Sequence, residues 1–140
     1  MEVREIGELR YSRDHLWVRV DGNGCATIGI SDYLQEKLGE IIDFNLPDEG
    51  EELVKDEAFS VIETREGRLE LLTPVSGEVS EVNEELLESP ELANEDPYNE
   101  GWIIRIENLL DSEFDELLTL EEYEEYLLDE EAEEEESEED

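Results

Sequence analysis

Short apolar runs recur along the chain from Leu9 to Ile106, and most of them alternate apolar with polar positions. A period of two marks half-buried strands. Leu16-Trp17-Val18-Arg19-Val20 reads as one strand and Cys25 to Ile30 as its return, across the turn signal Asp21-Gly22-Asn23-Gly24. Ser31 then offers a helix N-cap, with Asp32 in the first turn, Leu34 and Leu38 on one face and Gly39 as the stop. Glu40 to Leu46 resumes the strand pattern and places Ile42, Phe44 and Leu46 on one side. Pro47-Asp48-Glu49-Gly50 turns the chain, and Leu53-Val54 starts a short edge strand.

The next stretch, Phe59 to Gly77, reads as two strands around a tight turn. Phe59, Val61 and Glu63 alternate with Ser60 and Ile62; Arg65-Glu66-Gly67-Arg68 interrupts the run; Leu69, Leu71 and Leu72 resume it before Pro74 and Gly77. Glu78 to Val82 is a further strand. Asn83 to Glu88 predicts a helical turn, Ser89-Pro90 a short helix, Asn94 to Gly101 a loop, and Trp102 to Ile106 the last strand. From Asp111 the period becomes helical. Ser112 can cap a helix holding Phe114, Leu117 and Leu118, and Thr119-x-x-Glu122 is a capping box before the stripe of Leu120, Tyr123 and Tyr126 or Leu127. Many short strands with helices at the end predict a small β-sandwich or flattened barrel with C-terminal helices appended. We expect one folded unit over 1–128 and a disordered acidic tail over 129–140.

Charge narrows the function classes. The chain has 140 residues and a net charge of −37; removing the ten acidic residues of the tail still leaves −27. Such a surface repels phosphates, which argues against direct binding of nucleic acid or an anionic membrane. No apolar stretch approaches a membrane span, and MEVREIGELR lacks a signal-peptide core, so the expectation is a cytoplasmic protein. The one cysteine, Cys25, excludes an internal disulfide and a CxxC pair and reads as a buried, inert thiol. The single histidine, His15, has no Cys/His partners for zinc and reads as structural. Trp17 and Trp102 read as core or core-edge anchors. No catalytic constellation emerges, so an enzyme is not expected. The turn Arg65-Glu66-Gly67-Arg68 carries two arginines within four residues and is a locally basic spot of an acidic chain.

Several segments resemble the glycine cleavage system H protein family. They are Tyr11-Ser12-Arg13-Asp14-His15-Leu16-Trp17, Ala26 to Gly50, Thr73 to Ile106 and Glu116 to Leu127, in order and at matching spacing. The resemblance implies a lipoyl/biotinyl-type flattened β-barrel, the barrel-sandwich hybrid. It also implies a carrier: lipoate on a hairpin lysine shuttles the aminomethyl group of glycine between the glycine cleavage enzymes (the P, T and L proteins). The lysine supplies a long flexible stem and the cofactor the sulfur chemistry. The family's hairpin motif runs Glu-Ser-Val-Lys. Counted back from Pro74-Val75-Ser76-Gly77, it falls on Glu63-Thr64-Arg65-Glu66, so Glu66 stands at the lipoyl-lysine position. No lysine follows Lys55. Leu16 stands where the family usually has an acidic residue that resembles a partner for the loaded arm's amine, and Glu70 keeps the acidic type four positions after Glu66.

The expectation is therefore an H-protein-like homologue without lipoate, acting as a binding or regulatory module. Arg65, Gly67 and Arg68 would form its interaction tip, and its partners would be glycine cleavage enzymes or lipoate-handling enzymes. The alternative is a working carrier modified elsewhere.

Overall fold

The structure, a computed structural model, describes residues 7–138 except 23, and not the side chains of 111 and 131–138. Residues 1–6, Asn23 of the first turn and 139–140 of the tail lie outside the described residues. In chain order the elements are β1 (Leu9–Tyr11), β2 (Leu16–Gly22), β3 (Cys25–Ile30), α1 (Asp32–Leu38), β4 (Ile41–Asn45), β5 (Glu52–Leu53), β6 (Ala58–Thr64) and β7 (Gly67–Leu72). They continue with β8 (Gly77–Val82), α2 (Glu85–Glu88), α3 (Leu92–Glu95), β9 (Ile104–Glu107), α4 (Asp111–Asp115) and α5 (Leu120–Glu138).

Two antiparallel sheets carry the fold. One has six strands in the order β1-β2-β3-β9-β8-β5, the other three in the order β4-β6-β7. Their inner faces supply the main core, which includes Leu16, Val18, Ile28, Ile30, Ile41, Phe44, Ile62, Leu71, Val79, Ile104 and Ile106. This is the mostly β, lipoyl-type barrel sandwich expected. Gly29 has a packing reason: a Cβ there would meet the Trp17 ring at 2.6 Å.

A second cluster lies outside that core. Tyr11, Trp17 and Tyr123 are buried together, flanked by Tyr98, Trp102 and Tyr126. Tyr11 and Tyr123 stack with ring centroids 4.5 Å apart. Tyr123 Oη lies 3.0 Å from His15 Nδ1 and 2.8 Å from Ser31 Oγ, and Ser31 Oγ accepts the Leu34 N–H as the cap of α1. His15 Nε2 lies 3.2 Å from the Glu130 carboxylate. Burial holds the imidazole below its ordinary value, against the pull of Glu130 and Asp14 toward the protonated form. His15 is thus a link between the turn before β2 and α5.

Several expectations change. A bulge between Ile41 and Asp43 breaks the alternation of β4, so Ile41 and Phe44 are buried and Ile42 is 48% exposed. β1, which carries no alternating pattern of its own, exists because its backbone pairs with β2 and bridges to Leu118. Trp102 precedes β9 and joins the aromatic cluster, while Ile103 and Ile104 are both buried. α4 is capped at Leu110 with no side-chain bond, not by Ser112, and it ends before Leu117 and Leu118. Cys25 is half-buried rather than buried. The capping box is present: the Thr119 N–H donates to Glu122 and the Glu122 N–H to Thr119 Oγ1. The helix it starts continues to Glu138, past the boundary placed after 128. Glu and Ala are good helix formers, which favours continuing the helix, and like charges one turn apart oppose it.

Candidate functional site

The displayed hairpin is β6 and β7. Its register is Thr64↔Gly67, Glu63↔Arg68, Ile62↔Leu69 and Val61↔Glu70, so only Arg65 and Glu66 form the turn. Among the described residues neither of them has a positive φ; the following Gly67 takes the unusual backbone, at φ +146. A side chain there would be strained even though the space is open. The Thr64 side chain tightens the reversal, since its Oγ1 accepts the Glu66 N–H at 3.2 Å.

The base of the hairpin is held firmly. Phe59, Ile62 and Leu71 are buried in the core. Glu113 on α4 accepts both the N–H and the Oγ–H of Ser76, at 2.8 and 3.0 Å, and Ser76 Oγ in turn accepts the Lys55 N–H. A packed base under an exposed turn is a display arrangement.

The structure brings Arg65, Glu66, Gly67 and Arg68 together at the tip. Arg65 pairs with Glu40 at 3.2 Å and Arg68 with Glu63 at 3.3 Å, all largely in water. Exposed pairs of this kind contribute about 0–1 kcal/mol each, so they orient the guanidiniums without anchoring the fold. Beside the turn lies an open groove of about 230 Å³ lined by Lys37, Leu38, Thr64, Glu66, Gly67, Arg68 and Leu69. Lys37 and Glu40 escaped the sequence reading: they come from the end of α1 and the link to β4, and only tertiary packing sets them beside a turn some 25 residues on.

Other predicted residues lie elsewhere. Leu16 is fully buried in the main core and does not line the groove, and neither does exposed Glu70. Lys55 pairs with Glu116 at 2.7 Å, in a different cleft with Tyr11, Asp14 and Pro74. That carboxylate raises its amine above the ordinary lysine value. No cluster of His, Cys, Asp and Glu able to hold a metal occurs among the described residues. The tip can present charge and shape: two guanidiniums and a carboxylate on an exposed turn.

Comparison with known proteins agrees with this geometry. The family model described as "Glycine cleavage H-protein" matches residues 9–130. A glycine cleavage system H protein of Carboxydothermus hydrogenoformans is 49% identical over 126 residues, covering 90% of this chain and 95% of that protein. One from Vibrio campbellii is 45% identical over 115 residues, covering 82% and 91%. The crystal structure of a glycine cleavage system H protein from Mycobacterium marinum superposes with a TM-score of 0.75 at 29% identity, over 85% of this chain and 95% of that one. On sequence and on fold alike, the chain belongs to the glycine cleavage H-protein family.

Proposed function

We propose that this chain is an H-protein homologue that carries no lipoate on its hairpin and works as a binding or regulatory module. One observation carries the reading: Glu66 occupies the turn at the position the family resemblance assigns to the lipoyl-lysine. Lipoate attachment forms an amide and needs a primary amine. The turn offers a guanidinium and a carboxylate, so the residues present do not fit the group. The packed hairpin base, the glycine that permits the reversal and the exposed Arg65 and Arg68 support retention of the display function. Its partners would be glycine cleavage enzymes or lipoate-handling enzymes that contact such a tip.

A second reading is a working aminomethyl carrier modified on another lysine, and one feature favours it: Lys37 lines the same groove as Glu66. Intact-mass measurement of the full chain, co-expressed with a lipoate–protein ligase and supplied with lipoate, separates the two. The first reading expects the unmodified mass. A lipoyl adduct mapped by peptide analysis to Lys37 or Lys55 would overturn it in favour of the second.

A further inference from the structure

β7 is the outer strand of the three-stranded sheet, and among the described residues no backbone group pairs with its open edge. The hairpin fixes what that edge offers. A two-residue loop is closed by a hydrogen-bonded pair, here Thr64 and Gly67, and bonded and non-bonded pairs then alternate along an antiparallel ladder. Ile62 and Leu69 are therefore bonded to each other. The N–H and C=O groups of Arg68 and Glu70 point away from β6 to the free edge. Gly67, Arg68, Leu69 and Glu70 are all exposed, Leu69 at 36%. Long open edges invite another strand.

We propose that this edge pairs antiparallel with β7 of a second copy of the chain, about a two-fold axis through Leu69, joining two three-stranded sheets into one of six strands. Backbone phase allows only registers in which edge-pointing residues face each other. A dyad at Arg68 opposes arginine to arginine, and one at Glu70 opposes glutamate to glutamate. A dyad at Leu71 sets Glu70 against Leu72 and brings Pro74, which has no N–H, opposite Arg68. The dyad at Leu69 pairs Arg68 with the partner's Glu70 twice over and sets the two Leu69 side chains against each other. Opposite charges in directly opposed positions stabilise a strand pair and like charges destabilise it. The strand is thus complementary to itself in one register, as an isologous interface requires.

The charge of −37 on each chain opposes this association at long range. Screening shortens that repulsion from about 30 Å at 0.01 M salt to about 8 Å at 0.15 M, while ion pairs in contact across the edge are screened less. Association should accordingly strengthen as salt rises over that interval.

Sedimentation equilibrium on the full chain tests the proposal. The wild type should associate to dimers at about 0.15 M salt. Arg68→Glu alone and Glu70→Arg alone should each weaken the dimer by about tenfold or more, because each sets like charges opposite twice. The double variant Arg68→Glu/Glu70→Arg, and an equimolar mixture of the two single variants, should both recover it. In a Cys25→Ser background, Leu69→Cys should form a disulfide-linked dimer, since a non-bonded cross-strand pair has Cα atoms about 4.5 Å apart. A monomeric wild type at every salt concentration, single variants that associate like the wild type, or a double variant that fails to recover would each overturn the proposal.

Discussion

Arg65, Glu66 and Arg68 at the hairpin tip stand in water, whereas His15, Ser31 and Tyr123 at the junction of β2, α1 and α5 are held inside the protein. Both regions are polar and both rest on hydrogen bonds or ion pairs near 3 Å. The Arg65 and Arg68 side chains at the tip are 79% and 65% exposed; Tyr123 is 3% exposed and Ser31 is fully buried. A buried polar group that loses its partner costs about 1–3 kcal/mol, while an exposed one returns to water. The junction therefore keeps the fold together, and the tip can change its residues with little effect on folding. That freedom lets one family scaffold keep its hairpin while position 66 carries a carboxylate.

The largest predicted effect lies at the junction. Tyr123→Ala removes the stacked ring and leaves His15 and Ser31 short of a partner; chemical denaturation should show a loss of about 3–5 kcal/mol. A loss near zero would mean that α5 does not hold the core and that the contrast between the regions is wrong.

A second prediction sharpens the junction alone. Burial lowers the His15 value in the folded state, so the unfolded state binds the proton more readily. The contribution of His15 is then fully present above the unfolded value of about 6.5 and is lost as pH falls through the folded one. The surrounding carboxylates titrate as well, so the measurement is a difference: the stability of wild type minus that of His15→Gln should shrink between about pH 7.5 and pH 5.5. A difference that grows on acidification would mean that Glu130 and Asp14 outweigh burial.

The smallest effect belongs to the tip. Arg65→Ala should leave stability within about 0.5 kcal/mol of wild type, because the Glu40 pair it breaks is solvated. A loss comparable to that of Tyr123→Ala would make the tip part of the folding core.

Legibility in the sequence followed the range of the interactions. The β2–β3 hairpin, the displayed hairpin and the Thr119 capping box were readable because alternation, turn residues and caps act within a few positions. The bulge at Ile42 was not, since nothing local distinguishes an inserted residue from regular alternation. β1 was hidden because its three residues become a strand only through β2 and Leu118. At the site, the turn Arg65–Glu66 and the glycine after it were readable. Lys37 and Glu40 beside it were not, and Leu16 proved to be core. The isolation of His15 in the sequence points to a structural role, but the partners of its two ring nitrogens, Tyr123 and Glu130, lie 108 residues and more along the chain and only the fold reveals them.

The central claim is that the hairpin retains its display geometry and that Glu66 alone blocks attachment of lipoate. Glu66→Lys returns an amine to the turn without touching the packed base. Intact-mass spectra of this variant, folded and co-expressed with a lipoate–protein ligase, test the claim most directly. The account predicts a single lipoyl adduct mapped to position 66, beside an unmodified wild type. A folded variant that remains unmodified would contradict it.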